Sequence, residues 1–259
     1  MAIFDYKTEF GVNLHGDRCV KTVSDALESV GGVREFSIDK ENQTIVVSGS
    51  AAPSKIARAL RDTGKEVIVR GSGSKSGVGA AVCMFESFVP HRQLAGKQGE
   101  QSLFGLARFV KTDDGSATLL DLTMQDKPDK GEHAEDEASR PQYDVYIGKT
   151  GNLSDGINSV GGIYKFLGTV TVDKAGYADI FKEFHKNNAT QTGDDESEGL
   201  EITNIIGRAL VIKPSGNRPL PTLIGVIARS AGLWGNEKTV CTCSGKTMWE
   251  EYRQQKSSL

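Results

Sequence analysis

A chain of 259 residues, 25% charged and 37% hydrophobic, is long enough for one large or two ordinary domains with buried cores. A formal net charge of −3 excludes a broad basic field for nucleic acid or an anionic membrane surface. No run approaches the ~20 apolar residues of a membrane span, and the opening Met1-Ala2-Ile3-Phe4-Asp5-Tyr6 lacks the charged and apolar regions of a secretory leader.

In chain order, residues 6–14 read as a strand. Residues 17–30 read as a helix, with Val20, Val23, Leu27 and Val30 on one stripe and Gly31-Gly32 ending it. Residues 33–39 alternate, with Phe36 and Ile38 on one face. Residues 39–42 make a turn and 44–48 a third strand. Pro53 opens a second helix carrying Ile56, Ala59 and Leu60, and 65–70 form a fourth strand. The order βαββαβ predicts a ferredoxin-like α+β domain over residues 1–71. Gly71-Ser72-Gly73-Ser74-Lys75-Ser76-Gly77 then reads as a flexible linker.

Residues 78–228 change character. Short apolar runs, such as 80–85, 105–110, 117–122, 170–172 and 210–212, are split by Gly, Asp and Asn, and hardly any stretch holds a helical period. This predicts an antiparallel sandwich or barrel. The polar stretches 126–141 and 187–199 read as long loops. Five acidic residues within 194–201 read as a solvated face. Cys83, inside the run 80–85, reads as a core thiol.

Residues 229–259 form a tail too short for a core of its own, carrying both tryptophans and Cys241-Thr242-Cys243. In extended backbone, residues i and i+2 point to one side, so both sulfurs can face one partner. That spacing is poor for bonding them to each other without strain. The pair suits a soft cation such as copper(I), or exchange with another protein's thiols; the bland alternative is two ordinary thiols in a tail. With four cysteines in no framework spacing, the chain fits a reducing compartment.

The tail run Gly225-Val226-Ile227-Ala228-Arg229-Ser230-Ala231-Gly232-Leu233-Trp234, with Cys241-Thr242-Cys243-Ser244-Gly245-Lys246-Thr247-Met248-Trp249-Glu250-Glu251, resembles the C-terminal signature of the copper chaperones for copper–zinc superoxide dismutase. The middle region is similar to the dismutase barrel itself, through Leu167-Gly168-Thr169-Val170-Thr171-Val172 and Ile206-Gly207-Arg208-Ala209-Leu210-Val211-Ile212. The resemblance covers nearly the whole chain and implies a ferredoxin-like domain, a Greek-key barrel and a Cys-x-Cys tail. It implies that Cys241 and Cys243 carry copper(I) and exchange thiols, with no zinc. It implies a heterodimer, through the barrel, with an immature copper–zinc superoxide dismutase, and allows a homodimer of the free protein. Gly225, Arg229, Ser230, Gly232 and Trp234 are the implied partner contacts. The implied location is the cytoplasm, with the mitochondrial intermembrane space as a second one. The remaining alternative is a dismutase-like adaptor that binds its target without passing metal.

The resemblance also argues against a superoxide-degrading enzyme. The dismutase site uses six histidines and one aspartate, whereas this chain has only His15, His91, His133 and His185. At matching positions stand Tyr146, Gly148 and Lys213 for histidines and Phe166 for the aspartate. Ile157 and Ile224 stand at the enzyme's disulfide positions, where their packing against each other would replace the covalent link.

Copper-carrying ferredoxin-like domains present Met-x-Cys-x-x-Cys before the first helix. The aligned residues here are Leu14-His15-Gly16-Asp17-Arg18-Cys19. Cys19 keeps one sulfur and His15 is the candidate second ligand. Gly16 removes a ligand and Asp17 offers a hard oxygen that copper(I) disfavours. The expectation is a degraded or weak copper site, with a working His15/Cys19 site as the alternative and a core thiol as the competing reading of Cys19.

Overall fold

The computed structural model describes residues 6–72, 79–87, 103–112, 114–126, 140–173, 176–185, 199–216 and 221–230. The chain divides into two compact units, one built on a four-stranded sheet and one on a nine-stranded sheet.

The first unit runs β1 (Tyr6–Val12), α1 (Asp17–Glu28), β2 (Val33–Asp39), β3 (Thr44–Gly49), α2 (Pro53–Asp62) and β4 (Val67–Ser72). The strands lie in the order β2-β3-β1-β4, all antiparallel, which is the ferredoxin-like arrangement. Val23 and Leu27 of α1 and Ile56 and Leu60 of α2 share one stripe each, at helical spacing. They bury with Phe10, Val12, Ile45, Val47 and Val67 in a single core. Pro53 sits at the start of α2, where its missing N–H costs nothing.

Three elements differ in their bounds from expectation, β1 ending at Val12 and not at residue 14. α1 stops at Glu28, and Val30 joins the core from the following turn. β4 begins at Val67 and continues through Gly71 and Ser72, which pair with Glu9 and Thr8. Those two residues therefore belong to the sheet and not to a linker, because ladder hydrogen bonds need backbone and not apolar side chains. Residues 73–77 of the expected linker lie outside the described residues.

The second unit contains β5 (Ala80–Ser87), β6 (Leu103–Lys111), β7 (Ala117–Asp126), β8 (Gln142–Gly148), β9 (Ile163–Thr171), β10 (Tyr177–His185), β11 (Ala209–Pro214), β12 (Leu223–Val226) and β13 (Ala228–Arg229). A 3₁₀ turn at Gly156–Ser159 and one helical turn, α3 (Ile202–Ile205), are its only helical segments among the described residues. The order is β10-β7-β6-β5-β12-β11-β8-β9, with β13 also on β5. The two ends of that path, β9 and β10, lie side by side. A Cβ built on Gly168 of β9 would come within 2.7 Å of Ile180 Cδ1 of β10. The sheet is thus a nearly closed antiparallel barrel, and closure removes the exposed edges.

Strand parity decides what fills it. Ala81, Cys83 and Phe85 of β5 point inward, as do Leu120, Leu122 and Met124 of β7 and Tyr143, Val145 and Ile147 of β8. Cys83 is fully buried. Among the described residues no helix is long and apolar enough to cross a membrane.

Candidate functional site

Three loops meet at one end of the first unit. After β1 the chain runs through Asn13, Leu14, His15 and Gly16 into α1. The Asn13 N–H donates to the Glu66 carbonyl at 3.2 Å. Gln43 Nε2 donates to the Leu14 carbonyl at 3.0 Å. These bonds tie that segment to the β2–β3 turn and to the segment between α2 and β4. Leu14 is buried in the core, whereas His15 is exposed. Gly16 has φ 83° and ψ 173°, a conformation that residues with side chains rarely adopt.

Cys19 lies in the first turn of α1, half-buried, its N–H donating to the Gly16 carbonyl at 3.1 Å. Its sulfur is not alone. Lys65, between α2 and β4, donates from Nζ to Cys19 Sγ at 3.0 Å. The Lys65 hydrogen bond, followed by one from the His15 backbone N–H, holds the Cys19 thiol below its ordinary pKa, outweighing the opposing effect of burial. The nearby charges of Lys65 and Arg18 act in the same direction. Asp17 is engaged elsewhere, in an exposed ion pair with Lys40 at 2.8 Å.

The site therefore offers one soft sulfur, one ammonium on that sulfur and an exposed imidazole. Among the described residues no group of three or more His, Cys, Asp or Glu side chains could hold a metal ion.

The barrel positions expected from the resemblance to match dismutase ligands carry other side chains. Tyr146 is buried in a small cluster with Val160, Ala209, Val211 and Ile224 on the outside of the barrel. Gly148 sits against Val160, whose Cβ would be 2.8 Å from a Cβ placed there. Lys213 is exposed, and Phe166 is 44% exposed. Ile157 packs on the same cluster that contains Ile224, so these two residues share one apolar contact region, as expected of them. That region pins the 153–160 segment to β8 and β11.

A second candidate region is an exposed apolar patch on the opposite face of β5 from the core. Met84 is 78% exposed and Val226, on the neighbouring β12, is 40% exposed. Ala228 of β13 is exposed opposite half-buried Val82 of β5. The Gly207 N–H donates to the Ile227 carbonyl at 2.8 Å, and the Ile227 N–H to the Arg208 carbonyl at 2.9 Å. Those bonds extend the β11–β12 pairing past Ala209, and Ile206 just before them is 38% exposed. Arg208 is fixed by donation from Nε to the Asn204 carbonyl at 2.6 Å and from Nη1 to the Lys149 carbonyl. Its guanidinium lies 4.0 Å from the centre of the Tyr164 ring.

Of the residues expected to meet a partner, Arg229 is exposed and Ser230 half-buried. Gly225 is buried: a Cβ there would lie 2.0 Å from the Met84 carbonyl oxygen and 2.8 Å from Cys83 Sγ. It is a close-approach glycine that lets β12 seat on β5, and Val226 beside it faces out. Gly232, Trp234, Cys241, Cys243, His91 and His133 lie outside the described residues.

Sequence reading missed Lys65 and Met84. The parity of β5 was the available signal for Met84, since an inward Cys83 puts its neighbours outward.

Comparison with known proteins bears on both regions. The model of the heavy-metal-associated domain matches residues 9–66. A superoxide dismutase 1 copper chaperone of Debaryomyces hansenii is 34% identical, over 95% of this chain and 94% of its own length. Proteins of the same description from Candida glabrata and Saccharomyces cerevisiae are 33% and 31% identical. They align over 95% of this chain in both cases, and over 93% and 94% of their own lengths.

Proposed function

Because the chain belongs to the copper chaperones for superoxide dismutase, we propose that it delivers copper(I) to an immature dismutase subunit through its tail. The observation that carries this is end-to-end similarity at 31–34% identity to chaperones of that description. The protein is a chaperone and not a dismutase.

The barrel docks the client. Met84, Val226 and Ala228 are exposed on the neighbouring strands β5, β12 and β13, with exposed Glu86 and Arg229 on the same strands. Such a patch marks a protein contact. A client subunit that also presents a barrel face can pair with it about a pseudo-two-fold axis, giving a heterodimer. A homodimer of the free chaperone would use the same face.

Copper(I) is the cargo. Cys241 and Cys243 hold it as thiolates and pass it, one ligand at a time, to the client's own donors. The direction follows from the larger and better-fixed ligand set of the receiving site. Zinc, which prefers four donors, is not carried by two thiols alone. The same pair assists the client's disulfide. When Cys241 and Cys243 are oxidised to a strained disulfide, a client thiolate attacks one sulfur and the other leaves as thiolate. A second client thiolate then displaces the chaperone. The client loses two electrons and the tail gains them. The tail needs a two-electron oxidant, such as dioxygen, before each such turn. Work in the cytoplasm, where thiols stay reduced, fits the carriage of copper(I) by thiolates, and oxidation of the tail is then transient.

The test changes Cys241 and Cys243 together to serine and follows activation of apo-dismutase by the copper-loaded chaperone. Activation should fall to the chaperone-free rate. Undiminished activation with intact docking would instead favour an adaptor that binds its client without passing metal.

A further inference from the structure

The family model matched over residues 9–66 is that of a heavy-metal-associated domain, yet the loop at its metal-facing end is built differently. Two-coordinate copper(I) needs two soft donors arranged on opposite sides of the ion. Here Cys19 provides one sulfur. Gly16 provides no side chain, and its backbone, at φ 83°, is set for glycine. Leu14 is buried in the core. Asp17 offers only a hard oxygen, already paired with Lys40. His15 meets Cys19 through its backbone N–H, and its residue is exposed. The remaining neighbour is a cation: Lys65 Nζ lies 3.0 Å from Cys19 Sγ. An arriving metal ion would have to displace that ammonium or sit beside it against like-charge repulsion.

We infer that the first domain of this chain carries no copper(I). Lys65 is a built-in counter-cation on the one remaining sulfur, and all tightly held copper sits on Cys241 and Cys243. The inference depends on the carrier reading only for the identity of the cargo. It predicts a single loading step per chain, with copper entering at the tail and with no hand-over from domain to domain.

The experiment is anaerobic competition of the reduced full-length chain for copper(I) against a chromophoric chelator such as bicinchoninate. The wild-type chain is expected to retain one copper(I), Cys19→Ser to retain the same amount, and Cys241→Ser/Cys243→Ser to retain none. Thermal unfolding confirms that each variant is folded. The inference is overturned if the double-serine chain still withholds a copper(I) equivalent that disappears when Cys19→Ser or His15→Ala is added. If the wild-type chain itself retains none, the carrier reading fails while the inference about the first domain stands.

Discussion

Lys65 and Cys19 lie 46 residues apart in sequence, and their Nζ and Sγ atoms are 3.0 Å apart in space. α1 starts at one end of the sheet, and the segment leading from α2 into β4 returns to that same end. The topology thus forces the meeting of an ammonium with a thiol in the first turn of a helix. A helix N-terminus already favours a negative sulfur, and a donated N–H from Lys65 adds to it.

The first prediction concerns that pair. Lys65→Met removes the largest cause of the depressed Cys19 pKa, so the midpoint of Cys19 alkylation against pH should move upward. Mass-resolved labelling of the α1 peptide in the full chain reads it directly. The linkage has a definite sign. A thiol whose folded pKa lies below its unfolded value of ~8.5 adds stability above that value, and loses it as pH falls through the folded pKa. The wild-type chain should therefore gain stability over Lys65→Met as pH rises into the alkaline range. An unchanged labelling midpoint would show that the contact is not held in solution.

The second prediction concerns the opposite case. Cys83 is fully buried, and desolvation pushes its thiol up to about 12. It should resist iodoacetamide in the native chain at every pH below denaturation and react only after unfolding. Here the folded pKa is raised, so the contribution to stability is complete below ~8.5 and fades as pH climbs through the folded value. Cys83→Ala should flatten that alkaline decline. Native-state labelling of Cys83 at the rate of Cys19 would contradict its place inside the barrel.

Much of this was legible in the sequence, and the rest was hidden for identifiable reasons. The alternation over β2 and the helical spacing of Val23 and Leu27 mark their elements without help, because each element buries one face and period follows from geometry. Gly71 and Ser72 misled by composition, since they join the β1–β4 ladder through backbone groups alone. The Cys19 environment was half visible: the motif showed which ligands were missing, but the arrival of Lys65 depends on a loop distant in sequence. Gly225 stood out by resemblance, yet side chains alternate sides along a strand, and the exposed member is Val226.

The third prediction follows from Gly225. Its backbone approaches β5 so closely that an added methyl would overlap the Met84 carbonyl and crowd Cys83 Sγ. Backbone cannot yield as a flexible side chain can. Gly225→Ala should destabilise the barrel by ~1–3 kcal/mol, the usual cost of overpacking. Urea denaturation followed by fluorescence would show it as a lower midpoint. A midpoint equal to wild type would mean that β12 and β5 are not seated as described.

The last prediction separates docking from metal carriage. Met84 makes few contacts with its own barrel, being 78% exposed, so Met84→Glu should shift stability by no more than ~0.5 kcal/mol. The same change puts a carboxylate into the exposed apolar surface that Met84 shares with Val226, and pairing with a client would bury that charge without a partner. Loss of one central interface residue typically costs ~1–3 kcal/mol in binding, or roughly a ten- to hundredfold rise in Kd. Titration of apo-dismutase into Met84→Glu by calorimetry should show that loss, whereas copper(I) retained against a chelator should equal wild type. Activation should then recover at high chaperone concentration, which restores the encounter that the charge disfavours. If Met84→Glu bound the client as tightly as wild type, the β5–β12 face would not be the docking surface, and the partner contact would have to be sought elsewhere on the barrel, with the strip of Ile163, Tyr164 and Phe166 on β9 the next exposed apolar surface to test.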